Sequence, residues 1–190
     1  MKIIGIVGIL DFPGSQDRLW KHVREAFREK FPDAEFVAEH ELYLPWQRAK
    51  IKAFEERILE RHDCGEDLIL FGYSLGGVIA LSLAERFAKS RVILIATLGA
   101  PLRLARARVP QIPVITFSGV LDPVVPWFLT ALPGSMHVNL ISDHLFWLIV
   151  SKKPARLIAE NIHRALTQTT QVPFACGANF VCGRRESNPL

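Results

Sequence analysis

The chain has 190 residues, which is one domain's worth. With 49% hydrophobic and 22% charged residues it can bury a core, which excludes a disordered polyelectrolyte. The net charge of +4 is mild and comes without an arginine-rich block or aromatic–basic interleaving, so nucleic-acid binding is not expected.

Strand-like and helix-like stretches alternate. Lys2–Ile9 is a near-continuous, β-branched apolar run that suits a strand covered on both faces. Asp11 follows it at once and no small-residue cleavage site is present, so the start reads as a strand rather than a signal peptide. A cytoplasmic location is the expectation. Gln16–Phe31 places Leu19, Val23, Phe27 and Phe31 at steps of four and predicts an amphipathic helix. Glu35–His40 is a short strand, Pro45–Arg61 a helix with Ile51, Phe54, Ile58 and Leu59 on one face, and Asp67–Phe71 a third strand. Leu75–Ala88 reads as a helix whose small first-turn residues let it lie close to a sheet.

Arg91–Thr97 is a fourth strand, and the basic segment Pro101–Ile112 reads as loop. Pro113–Phe117 and Met136–Ile141 are strands five and six, separated by the partly helical Pro123–Leu132. His144–Val150 predicts a short helix, and its apolar run is far below the roughly 20 residues of a membrane span. Pro154–Thr167 is the last helix, with proline in its first turn.

Six strands separated by helices predict a three-layer α/β/α domain over residues 1–170. Its sheet is parallel, and right-handed crossovers make 2-1-3-4-5-6 the simplest order. In that order the winding reverses between strands 1 and 3, and ligands bind beyond the strands' C-terminal ends at that point. Residues 171–190 lack periodicity and read as an irregular tail. Of the three cysteines, Cys64, Cys176 and Cys182, the last two lie in that tail at a spacing that is not a zinc spacing. Neither a disulfide framework nor a metal site is expected.

Gly72-Tyr73-Ser74-Leu75-Gly76 is a G-x-S-x-G motif between an apolar strand and a helix. Such a turn lifts the serine hydroxyl clear of the sheet and aims helix N-terminal N–H groups at the same spot. A serine nucleophile needs a base. Of six histidines, His22, His62 and His163 fall in charged helical surroundings and read as solvated. His40 ends an edge strand and His137 lies inside a strand, whereas His144 follows the last strand on the rim that carries Ser74. The base needs a carboxylate to orient it. Asp122 follows strand five on the same rim; the alternatives are Asp143 in that role and an ordinary Asp-Pro turn at Asp122. The oxyanion donors expected are the N–H groups of Leu75 and Phe12, with Asp11 the rival of Phe12.

These motifs resemble the α/β-hydrolase superfamily over roughly Ile3 to Thr167. The order Ser74, Asp122, His144 is that family's order. Phe71–Gly77 looks like its nucleophile elbow, Gly119-x-x-Asp122-x-x-Val125-Pro126 is similar to its acid loop, and Leu10–Ser15 to its oxyanion loop. The resemblance implies a minimal, capless serine esterase or lipase-like enzyme. It would act on a small-molecule carboxylic ester, or a thioester, through an acyl-enzyme on Ser74, with no cofactor. Asp11, Tyr73, Trp127 and Leu145 are the residues expected toward the substrate, and Leu102, Leu104, Phe128, Phe146 and Trp147 the further candidates for an acyl groove, most of them equally candidates for the core. Arg103, Arg106 and Arg108 either attract an anionic headgroup or carboxylate or form a solvated basic loop. Leu10-Asp11 stands where the family often has His-Gly, and an acid there opposes an oxyanion unless turned away or paired. An inactive binding protein on the same fold is therefore the alternative, as is an acyltransferase using the same three residues.

Overall fold

The computed structural model describes residues 1–7, 15–42, 44–141 and 152–171. The elements are β1 (Lys2–Val7), α1 (Ser15–Lys30), β2 (Glu35–His40), α2 (Arg48–His62), β3 (Asp67–Tyr73), α3 (Leu75–Ala84), β4 (Arg91–Leu98), β5 (Val114–Gly119), α4 (Trp127–Thr130), β6 (Met136–Leu140) and α5 (Lys152–Gln171). All six strands are parallel and lie in the order β2-β1-β3-β4-β5-β6, as the alternating pattern requires. The predicted helix at His144–Val150 and the tail beyond Gln171 lie outside the described residues.

Because side chains alternate along a strand, the sheet builds two cores. On one face Ile3, Val7, Ile69, Phe71, Leu94 and Phe117 pack under α1 and α5, which contribute Trp20, Phe27, Ile158 and Ile162. On the other, Ile4, Ile6, Leu68, Leu70 and Ile95 meet Phe54 and Ile58 of α2 and Ile79, Ala80 and Leu83 of α3. The register shifts by one residue at Ile93, where Leu68 pairs with Val92 and Ile69 with Leu94. That bulge turns Leu94 and Ala96 onto the face they share with Ile69 and Phe71. Along the outer seam of α1 and α5, Lys152 pairs with Glu25, Arg156 with Glu29 and Lys30 with Glu160. These pairs are exposed, so they set helix register more than stability.

Several element ends differ from their sequence expectation for local reasons. α2 begins at Arg48 rather than Pro45, because Leu44–Gln47 closes a turn in which the Gln47 side chain accepts the Leu44 N–H. α3 stops at Ala84 rather than Ala88, because the Asp63 carboxylate takes the N–H groups of Ala88, Lys89 and Ser90 at 3.0, 2.8 and 2.6 Å. The β4–β5 crossover carries no helix, as its composition implied, and only four residues of Pro123–Leu132 are helical.

One expectation needs correction, and one choice between groove and core is decided. His62 is not solvated: it is 6% exposed, and its Nε2 bonds Glu39 Oε1 at 2.8 Å beneath the last turn of α2. Its four-residue spacing from Ile58 keeps it on the buried side of α2 in line with Phe54 and Ile58. Leu102 does not line a groove. It is fully buried in the α3-side core, whereas its neighbour Leu104 is exposed.

The His62 N–H first, and then Arg61, hold the Glu39 carboxyl below the usual carboxylate range. A depressed carboxylate contributes stability above the unfolded pKa, and that contribution is lost as pH falls through the folded value. Glu39→Gln is therefore expected to lose about 1–2 kcal/mol at pH 7, where a charge-assisted hydrogen bond becomes a neutral one. The loss should shrink toward zero below the folded pKa. Urea unfolding of both proteins at pH 7 and in the acid range checks this; a difference independent of pH would refute the assignment.

Candidate active site

β3 runs directly into α3 through Ser74, with no loop between them. Ser74 pays for that junction with φ 54° and ψ −130°, a conformation that non-glycine residues rarely adopt and that costs about 1–3 kcal/mol. Its N–H is anchored to Leu98 O at 2.9 Å, and its carbonyl accepts the Gly77 N–H at 3.0 Å. Although it occupies the N-cap position, its hydroxyl makes no capping bond to α3. A serine at that position ordinarily spends its oxygen on the helix.

The glycines explain how the turn closes. A Cβ on Gly76 would strike the backbone oxygen and carbon of Ile6, and one on Gly72 would strike the backbone of Gly76 and Gly77. A Cβ on Gly77 would meet the side chains of Ala100 at 2.5 Å and Thr97 at 3.0 Å. α3 thus sits on the sheet at backbone contact, and the last residues of β1 lie against its first turn. Leu75 N–H belongs to that turn, where N–H groups have no carbonyl one turn behind them. The segment that leaves Val7 therefore departs from beside Leu75. Phe12 and Asp11, the second-donor candidates, follow in that segment but lie outside the described residues.

Asp122 stands beyond β5 and is 7% exposed. Its Oδ1 accepts the N–H groups of Val124 and Val125, both at 2.8 Å, and its own N–H bonds Gly119 O at 3.2 Å. It is thus a turn-forming aspartate and a buried carboxylate at the sheet's C-terminal rim at once. β3 and β5 flank β4, so the backbones carrying Ser74 and Asp122 stand two strand spacings apart, about 10 Å.

His144, its rival partner Asp143, and the groove candidates Leu145, Phe146 and Trp147 all lie outside the described residues. The described chain reaches Ile141, one residue past β6 on the same rim. Tyr73 is buried in the α1-side core with Phe71 and Leu98. Trp127 is half exposed on α4, edge-on to Phe128 at 6.1 Å. His137 is occupied within the sheet: Nδ1 lies 2.7 Å from Thr116 Oγ1, and Nε2 lies 3.2 Å from Ser118 Oγ and 3.0 Å from Asn139 Oδ1. Among the described residues no group of His, Cys, Asp and Glu is arranged to hold a metal ion, and no helix is long and apolar enough to cross a membrane.

Gly76→Ala is expected to separate α3 from β1 and to cost 1–3 kcal/mol or more, roughly the range for overpacking, because backbone cannot yield as a side chain can. Gly134→Asn, at an exposed turn with nothing within 4 Å of the added Cβ, is expected to lose less, its only cost being the φ of +86°, which asparagine adopts more readily than most side chains. Thermal unfolding of both distinguishes them; equal losses would contradict the close-approach account.

No family model matches the sequence, and no curated protein matches it. Solved structures do. An esterase domain from Rhodothermus marinus superposes with a TM-score of 0.54 at 15% identity, covering 87% of this chain and 86% of that one. An alpha-beta serine hydrolase homologue from Coxiella burnetii gives 0.56 at 18%, covering 84% and 85%. Est1E from Butyrivibrio proteoclasticus gives 0.59 at 14%, covering 90% and 89%. With its strand order, the strained serine at the β3–α3 junction and these superpositions, the chain has the fold of the α/β-hydrolase superfamily.

Proposed function

We propose that the protein is a serine hydrolase that cleaves carboxylic esters through an acyl-enzyme on Ser74. The observation that carries this reading is the backbone of Ser74: a left-handed φ of 54° at a strand–helix junction, hemmed by Gly72, Gly76 and Gly77. Backbone strain of this kind clusters at active sites and ligand clamps. The hydrolase and esterase names of the superposed proteins support the reading from outside.

In this reading Ser74 Oγ attacks the ester carbonyl carbon while the His144 imidazole takes its proton. His144 is three residues beyond Ile141, at most about 10 Å of chain. The developing oxyanion lies between Leu75 N–H, at the positive end of α3, and Phe12 N–H. The imidazolium returns its proton to the departing alkoxide, leaving the acyl group on Ser74. Water, deprotonated by the same imidazole, then releases the acid and restores the serine. Asp122 contributes by orientation. With Oδ1 held by two backbone N–H groups its carboxylate is fixed in place, and Oδ2 is the oxygen that serves His144.

The test is labelling by a fluorophosphonate probe together with turnover of p-nitrophenyl esters of increasing chain length. Ser74→Ala is expected to abolish labelling and to lower turnover by on the order of a thousandfold or more. A folded, unlabelled and inactive wild type would favour the binding-protein alternative, and a preferred transfer to added alcohols the acyltransferase one. Asp122→Asn is a second test. Its amide oxygen keeps the turn to Val124 and Val125, so the fold should survive while kcat falls by up to about 10⁴-fold through loss of the orienting charge. An Asp122→Asn protein with wild-type kcat would shift the orienting role to Asp143.

A further inference from the structure

Charge is divided unevenly along the chain. Residues 1–85 carry 15 acids against 11 bases, whereas residues 86–141 carry six bases and one acid, Asp122. Asp122 is buried and bonded to backbone N–H groups, so it does not offset surface cations. Arg86 is neutralised by Glu55 and Glu56, and Arg91 by Asp67. Arg103, Arg106 and Arg108 are exposed and meet no carboxylate at ion-pair distance among the described residues.

The same surface is apolar between its cations. Leu104 is 74% exposed, Trp127 51% and Phe128 49%. They form one surface rather than scattered residues, because Arg103 ties the two segments together. Its N–H donates to Leu129 O at 3.0 Å and its Nε–H to Ala131 O at 2.9 Å. Further toward the rim, beside Asp122, Leu121 and Val124 are each 60% exposed. The inward side of the layer is already satisfied, since Leu102 and Leu132 fill the α3-side core. Lone exposed leucines are ordinary, but a tryptophan, a phenylalanine and several aliphatics grouped on loops mark a contact surface.

The chemistry selects the partner. Glu85 shares a groove with Arg108 without pairing with it, and three arginines against that one acid favour an anionic surface. Indole and phenyl rings flanked by arginines suit the headgroup–acyl boundary of a bilayer better than a dry protein interface, whose core is depleted of charge. We propose that the 101–108 loop, α4 and the 120–126 loop dock this protein on an anionic phospholipid bilayer. The docking does not depend on catalysis. Where the proposed hydrolysis also holds, it is the 120–126 part of the docked face that stands at the sheet's C-terminal rim, the rim of Ser74.

The test uses full-length Ser74→Ala protein, so that hydrolysis cannot alter the vesicles or the outcome. Cosedimentation is measured with phosphatidylcholine vesicles and with vesicles half phosphatidylglycerol, at low and high salt. The expected result is at least tenfold tighter binding to the anionic vesicles, weakened by salt. The double variant Arg106→Glu/Arg108→Glu should reduce it by at least tenfold, since each surface cation near an anionic leaflet strengthens binding about fivefold. Trp127→Ser/Phe128→Ser should remove the binding that remains at high salt. Circular dichroism of each variant confirms that it is folded. Equal binding to both vesicles, binding unchanged in both variants, no binding, or a patch-dependent dimer that ignores vesicles would each overturn the proposal.

Discussion

The fold depends most on one close approach: the first turn of α3 pressed against the carbonyl end of β1. There the backbone of Gly76 meets Ile6 with no room for a methyl group. This contact lets α3 start immediately after β3, and the immediate start forces Ser74 into its left-handed conformation. Strain at Ser74 and van der Waals contact two residues on, at Gly76, are thus one event. The same contact brings the end of β1 beside the N-terminal N–H groups of α3. Whatever binds at Ser74 therefore meets a positive helix end and the departure point of the β1 loop together.

The strain is sustained by what lies below it. β3 is buried along nearly its whole length, with Leu68 and Leu70 on one face and Ile69, Phe71 and Tyr73 on the other. Neighbours on both sides hold it in register, and each buried side chain contributes about 1.5–3 kcal/mol. Against that, one residue in a disfavoured φ/ψ region is a modest cost. The edges are held differently. β2 relies on Glu39 and its bond to His62, and β6 relies on the polar ladder of Thr116, Ser118, His137 and Asn139. Apolar packing on both faces of the central strand gives the sheet a stiff middle, beneath the strained Ser74.

Much of this was legible in the residues. Alternation of apolar runs and amphipathic segments predicts every described strand and the strand order, because parallel strands covered on both faces read as β-branched runs and right-handed crossovers leave few orders. The glycines around Ser74 predict the turn, since the physics of close approach is local. The misread positions are those decided by partners far along the chain. His62 looks solvated among Arg57, Glu60 and Arg61, and only the fold brings Glu39, 23 residues away, to its ring. The end of α3 is set by the Asp63 carboxylate on Ala88, Lys89 and Ser90, a contact that no periodicity within the helix could announce. Leu102 and Leu104 differ by two positions in a loop without helical or strand period, so nothing local said that one would be core and the other open.

The β4–β5 crossover links these observations. Parallel neighbours need a dozen or more connecting residues, and a helix is the usual way to shield the sheet face. Here fifteen residues, 99–113, do it as a turn-rich loop, while the β5–β6 connection contributes a helix of only four residues. A thin layer has few inward positions, and Leu102, Val125 and Leu132 occupy them. Ala107, Val109 and Ile112 pack half-buried against the same core, and Leu104, Trp127 and Phe128 are left outside. Their exposure therefore follows from the shortness of the connections rather than from chance composition. Arg103 then closes the layer by bonding two backbone carbonyls across it, so the open apolar residues are held on a braced surface. A braced surface loses little conformational entropy when it meets another phase, which separates a contact face from a merely unfinished one.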